Sequence, residues 1–205
     1  VAARKPPVRR KLPAQERSRE TVEAILEATA HILARDGYDK TSTNRVAEAA
    51  GVSIGSLYQY FPNKDALVGA LLEDYARRLI SLVETSAVEL AEVPLEQATQ
   101  RIVRAVFAFH RSAPKLHRVL FQQITSAGNV ERRNALLHNA HQLFLRYFQH
   151  HASELRVQDL DMAAFTAMHA VEGIAHAAVL SAPERLENDA LIEESVTMLL
   201  RYLKR

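Results

Sequence analysis

The chain has 205 residues, a formal net charge of +2 and no cysteine. That excludes disulfides, thiolate catalysis and cysteine-ligated zinc, and leaves room for one mid-sized domain or a small domain fused to a larger one. Six glycines and seven prolines against plentiful Ala, Leu, Glu and Arg favour helix over sheet. The charge is uneven: residues 1–64 hold eleven Lys/Arg against seven Asp/Glu, and the first twenty residues hold seven against two. A basic N-terminal part on a slightly acidic body fits either a polyanion partner or a solvated tail. No run of apolar residues approaches the ~18 needed to span a bilayer, and no apolar signal-peptide core follows the basic N-terminus. A cytoplasmic protein without a membrane partner is expected.

Residues 1–16 combine three prolines with a basic cluster, which predicts a disordered arm. From Arg17, the apolar positions Val22, Ile25, Leu26, Thr29, Ala30 and Leu33 recur at spacings of three and four, predicting a helix that Asp36-Gly37 ends. Thr41-Ser42-Thr43 supplies cap hydroxyls for a short helix over about 43–50. Gly51 closes it, Ser53 caps a third helix over about 54–60, and Pro62 stops that one. Asn63 caps a long fourth helix over about 64–91, with Leu67, Leu71, Tyr75, Leu79, Leu82 and Val83 on one face. Further helices are predicted at about 95–112, 114–126, 130–153, 158–181 and 188–204, separated by Pro94, Pro114, Gly128-Asn129, a polar turn near Gln158, and Pro183. No segment alternates with period two. The fold class is all-α, with about nine helices.

The stretch Gly51-Val52-Ser53-Ile54-Gly55 fits G-x-S-x-G, which can mark the nucleophile elbow of a serine hydrolase. An elbow needs a strand before the serine, and here an Ala- and Glu-rich helical stretch precedes it. A helix-turn-helix explains more of the residues. Val46, Ala47 and Ala50 face inward on the first helix, Gly51 turns, Val52 plugs the corner and Ser53 caps. Leu57 and Phe61 anchor the second helix. Ile54, Gly55, Ser56, Tyr58, Gln59 and Tyr60 then remain for DNA, Ser56 and Gln59 through bases and the tyrosines through phosphates. Tyr58 either does this or packs partly into the core.

The run from Thr21 to Leu72 resembles the DNA-binding region of the tetracycline-repressor (TetR) family. Gly37-Tyr38, Thr41 to Thr43, Ala47-x-x-Ala50-Gly51-Val52-Ser53, Leu57-Tyr58-x-Tyr60-Phe61 and Lys64-x-x-Leu67 carry the resemblance over about a quarter of the chain. It implies DNA contacts from Thr43, Asn44 and Arg45, a recognition helix from Ile54 to Tyr60, and a phosphate contact from Lys64. Ile54 departs from the polar or basic residue common at that position in similar proteins, which removes a hydrogen bond there. The resemblance also implies a ligand pocket among the middle helices, drawn from Phe107, His110, His117, Phe121, Phe144, Phe148, Phe165 and His169. An ordinary core with satisfied histidines is the alternative for each of them.

Helix-turn-helix dimers read two half-sites, so a homodimer on a pseudo-palindromic operator is expected. Asp161 to Leu180 is apolar on nearly every side, and a helix of that kind needs cover on every side. A four-helix interface would draw on Phe165, Met168, Glu172 and His176, with Val196 and Leu200 from the last helix. His169, Glu172 and His176 share one helical face, and His138 and His141 another. Paired Glu-x-x-His motifs on two helices are absent, so no metal or cofactor is expected. The domain organisation expected is an arm over 1–16, a DNA-binding domain over 17–64 and a ligand-binding and dimerisation domain over 65–205. The function expected is a non-enzymatic, ligand-responsive repressor released from DNA by a small hydrophobic or aromatic effector. A helical carrier or metal-binding protein without DNA binding, and a hydrolase using Ser53, are the alternatives.

Overall fold

Capping residues set the helix boundaries in the computed structural model, which describes residues 16–89, 93–123 and 130–204. Most of the N-terminal arm and the break at Gly128-Asn129 lie outside them. Among the described residues there are nine α-helices: α1 (Glu16–Asp36), α2 (Thr43–Ala49), α3 (Ile54–Tyr60), α4 (Lys64–Glu89), α5 (Leu95–Ser112), α6 (Pro114–Gln123), α7 (Val130–His150), α8 (Leu160–Ser181) and α9 (Asp189–Leu203). Single turns of 3₁₀ helix at Ala152–Glu154 and Pro183–Leu186 join the last three. The seventh helix therefore stops at His150, short of the expected 153, and the chain tightens into the first of these turns.

The described residues form two compact units. The first runs up to Tyr75 and regains Lys115–Asn134; the second holds Ala76–Pro114 and the rest from Ala135. The first unit thus takes in the start of α4, α6 from Lys115 onward and the first residues of α7.

In the first unit, α1 ends where Gly37 adopts φ +80 and returns its N–H to the Leu33 carbonyl at 3.0 Å. Gly51, at φ +67, makes the turn between α2 and α3. Ser42, Ser53 and Asn63 cap α2, α3 and α4 by accepting the N–H groups of Arg45, Ser56 and Ala66. These caps hold together a cluster in which Leu57 and Phe61 meet Val22, Ile25, Val46 and Leu67, all with 5% exposure or less. A neighbouring cluster packs Leu120 of α6 against Leu33, Val68 and Leu71.

The second unit is built around α8. Ala163, Ala164, Ala167, Ala175 and Ala178 are buried, and small side chains let α5 and α9 pack closely against it. By length and composition α8 could cross a membrane. Its buried stripe and its polar residues, Glu172 among them, make it the core helix of this unit. Glu172 receives a hydrogen bond from Nε2 of the buried His110 of α5 at 3.2 Å. Burial pushes the Glu172 carboxyl up, but that bond and the fields of His110, His176 and His169 outweigh it and hold the carboxyl below its ordinary range. The end of α9 is pinned to the segment after α7: Arg156 donates its N–H to the Leu203 carbonyl at 2.8 Å and its Nε–H to the Tyr202 carbonyl at 2.9 Å.

Phe61 is wholly buried where α1, α2, α3 and α4 converge. Phe61→Ala is expected to lose about 3–5 kcal/mol of stability, read by urea unfolding followed by circular dichroism.

Candidate nucleic-acid interface

The geometry of α3 follows from which of its residues are inside. Leu57 is 0% and Tyr60 8% exposed, one turn apart on the same face. The opposite face presents Ile54, Gly55, Tyr58 and Gln59, with Ile54 39% and Tyr58 42% exposed. A Cβ built on Gly55 meets only Ser53 Oγ, at 3.9 Å. The chain's own packing therefore does not require glycine there, although glycine costs a helix about 1 kcal/mol against alanine.

The Ser53 hydroxyl accepts the Ser56 N–H at 3.0 Å and shares a hydrogen bond with Ser56 Oγ at 2.8 Å. Helix α2 and a tight turn precede it, not a strand. Ser53 is a helix cap. Ser56 is half-buried beside it, and Asn44 is exposed on the first turn of α2. Thr43 Oγ1 and Tyr58 Oη share a hydrogen bond at 3.2 Å, which ties the start of α2 to the outer face of α3.

Three residues expected at this surface are held by the chain itself. Tyr60 points into the core, where its hydroxyl shares a 2.7 Å hydrogen bond with Ser18; this corrects its placement among the phosphate contacts. Leu57 fixes the rotation of α3, and Tyr60 follows it inward. Arg45 donates to the Lys40 carbonyl at 2.6 Å and pairs with the Asp36 carboxylate. It braces α2 against the end of α1. Lys64 donates to the Tyr38 carbonyl at 3.0 Å, with its ammonium 3.9 Å from the centre of the Tyr38 ring. The Tyr38 hydroxyl in turn donates to Asp65. Burial, and then that hydrogen bond, push the Tyr38 phenol up to about 12.

The Asp36 brace could not be read from helical spacing, because both its arginines lie outside any i, i+4 relation to it. Arg35 donates two hydrogen bonds to the Asp36 carboxylate, both at 2.9 Å. Those bonds, then that from Arg45, hold the carboxyl far below the ordinary carboxylate range.

The residues expected to line an effector pocket are divided between the units. Phe107, His110 and Phe148 are buried in the second unit, with Phe144 half-buried 6.4 Å from Phe148 between ring centres. His117 and Phe121 belong to the first unit, where His117 Nδ1 shares a 2.6 Å hydrogen bond with Tyr75 Oη. Phe165 and His169 are exposed, with ring centres 4.1 Å apart. α8 turns Ala164, Ala167, Met168 and Val171 inward and leaves these two on its surface.

The expected dimer residues divide in the same way. Met168 and Val196 are buried in the chain's own core at 3% and 8% exposure, so they have no surface to offer a partner. Glu172 and His176 are half-buried facing His110, and Leu200 is half-buried. The large apolar side chains left exposed on these helices are Met162 and Phe165 on α8 and Met198 on α9.

Comparison with known proteins agrees with this architecture. Residues 25–71 match the family model "Bacterial regulatory proteins, tetR family", and residues 94–203 match "Tetracyclin repressor-like, C-terminal domain". Nucleoid occlusion factor SlmA of Haemophilus ducreyi is 33% identical over 103 residues, covering 50% of this chain and 50% of that protein. An uncharacterised HTH-type transcriptional regulator of Mycobacterium bovis is 28% identical over 129 residues, covering 61% and 62%. The chain spans about half the length of the SlmA relatives it matches. Among solved structures, the SmeT–triclosan complex has a TM-score of 0.72 at 19% identity, covering 90% of this chain and 92% of that one. NalD, the secondary repressor of the MexAB-OprM multidrug efflux pump in Pseudomonas aeruginosa, has 0.67 at 22%, covering 93% and 99%. At these identities the structures share the fold.

Two outcomes follow from the caps and the brace. Ser53→Ala should cost about 1 kcal/mol of stability in urea unfolding. The depressed Asp36 carboxyl contributes stability that is fully present above its unfolded pKa of about 3.9 and is lost as pH falls through its lower folded value. Asp36→Asn should therefore lower the melting temperature at neutral pH and shrink the loss below about pH 4, as read by thermal melts across that range.

Proposed function

The chain belongs to the TetR family, and from that premise we propose that it is a ligand-responsive repressor, not an enzyme, whose homodimer grips a pseudo-palindromic operator. The outward face of α3 carries the reading: Ile54, Gly55, Tyr58 and Gln59 are exposed while Leu57 and Tyr60 hold the helix from behind. Gln59 can donate to and accept from an adenine edge, Ile54 can pack on a thymine methyl, and Tyr58 can donate to a phosphate. Gly55 is unexplained by the chain's own packing, and it makes sense where a DNA backbone must come close. Asn44 and Thr43 would add contacts from the start of α2. Lys64 would contribute its positive charge from its seat on Tyr38.

The large hydrophobic side chains that stay exposed, among the described residues, support both interfaces. Ile54 and Tyr58 are on α3; Met162, Phe165 and Met198 are on α8 and α9. Scattered exposed apolar residues need no explanation, but Ile54 and Tyr58 lie one turn apart on α3, and Met162 and Phe165 one turn apart on α8. The second pair suits a partner subunit pairing α8 and α9 with their own copies. Phe165, Glu172, His176 and Leu200 keep some surface on these helices, and Met162 and Met198 are exposed on them.

The effector proposed is small, apolar and aromatic, held among the aromatic side chains of the second unit around Phe107, Phe144 and Phe148. SmeT, the repressor of the Stenotrophomonas maltophilia multidrug efflux pump SmeDEF, has been solved in complex with triclosan, a small aromatic molecule. Effector binding would change the spacing of the two α3 helices across the dimer, and coupling of ~1–3 kcal/mol lowers operator affinity about 5–150-fold. A second reading, a nucleoid occlusion factor, is carried by the likeness to SlmA. Release from DNA by an aromatic effector would favour the repressor.

Gln59→Ala should weaken binding to the upstream intergenic DNA by about 1–3 kcal/mol while leaving scrambled DNA unaffected, as read by fluorescence anisotropy. Equal loss on both DNAs would mean that Gln59 reads no base. Phe165→Glu combined with Met198→Glu should move the protein to monomer in sedimentation at micromolar concentration. A dimer that survives both changes would place the interface elsewhere.

A further inference from the structure

We propose that His110, Glu172 and His176 form a binding site for a divalent transition metal of the zinc class, inside the second unit and separate from the DNA-reading face. On sequence alone His176 and Glu172 are an i, i+4 pair on α8. The structure adds the third group, because α5 lays His110 against the same carboxylate. His110 Nε2 lies 3.2 Å from Glu172 Oε2, and His176 Nε2 lies 3.5 Å from the same oxygen. The two imidazole rings are nearly parallel, 15° between planes, with centres 5.3 Å apart. Both nitrogens therefore converge on one carboxylate oxygen.

Those separations fit coordination. A zinc ion holds nitrogen and carboxylate oxygen at about 2.0–2.2 Å, so adjacent ligand atoms in a tetrahedral shell stand roughly 3.3 Å apart. Two imidazoles and one carboxylate are a borderline-hard donor set that suits Zn²⁺, Co²⁺ or Ni²⁺ better than Mg²⁺ or Ca²⁺. Three protein ligands leave a fourth position for water or a ligand atom. Metal would take the Nε2 lone pair of each imidazole, so a neutral His110 would carry its ring proton on Nδ1 when metal is bound and would no longer donate to Glu172. His169, one turn earlier on α8, is not part of the set: its Nδ1–H donates to the Phe165 carbonyl at 2.9 Å and its side chain is exposed.

Burial favours a real site over a chance surface cluster. His110 is 0% exposed, and the side chains of Glu172 and His176 are 22% and 24% exposed. Rotamer freedom is already restricted at all three, which lowers the entropic cost of ordering ligands.

The test is a Co²⁺ titration of the full-length, tag-free protein after stripping with a chelator, followed by visible absorption. The expected result is uptake of about one equivalent per chain with the intense bands of a four-coordinate nitrogen–oxygen site. Glu172→Gln and His176→Gln should each weaken binding at least ~10-fold, and His138→Ala should leave it unchanged. His176→Gln is the decisive variant, because its partly exposed side chain can be changed with the helix intact, as circular dichroism would check. No uptake by wild type at ~100 µM Co²⁺ would overturn the proposal. So would uptake that Glu172→Gln and His176→Gln leave undiminished.

Discussion

The outward face of α3 depends on the burial of Leu57 and Phe61. A seven-residue helix has little stability of its own, so packing must supply it. Burying one large apolar side chain contributes roughly 1.5–3 kcal/mol, and both of these are fully enclosed. They also set the rotation of the helix. With Leu57 and Tyr60 one turn apart on the inner face, Gly55, Tyr58 and Gln59 face outward, and Ile54 stands exposed on the first turn. The Ser53 cap fixes where the helix starts, and Gly51 fixes the angle at which the chain enters it. The chemistry of the face is thus a consequence of the core behind it.

Polar contacts then restrict how α2 and α4 sit around that helix. Asp36 gathers Arg35 and Arg45 at the junction of α1 and α2. Tyr38 receives Lys64 on its ring and carbonyl and reaches Asp65 with its hydroxyl. These groups are partly solvated, so each contact is weak in isolation. Together they remove freedom from loops that apolar packing does not reach. Arg45 and Lys64 are therefore structural residues in the free chain, whatever charge they also present to a polyanion.

Much of this was legible in the residues. Gly37, Gly51, Ser53, Asn63 and the prolines marked helix ends because each acts through local backbone geometry or a hydrogen bond within a few positions. The all-helical class followed from composition and period. The direction of Tyr60 was legible in principle, since it lies three residues after Leu57, but its hydroxyl partner Ser18 is 42 residues away. On α8 the pattern is apolar on every side, so it could not say that Met168 faces the chain's own core and Phe165 faces outward. The same holds for Val196 on α9. The His110–Glu172 contact joins residues 62 apart and leaves no periodic trace.

In the function proposed here, the exposed face of α3 selects a DNA sequence. The most direct test is selection of genomic fragments by the purified protein, wild type and Ile54→Arg side by side, followed by sequencing. Wild type should enrich an inverted repeat, and the variant, whose new side chain stands where bases are read, should enrich an altered repeat with the same half-site spacing. Identical repeats from both proteins, or no repeat from wild type, would contradict that function.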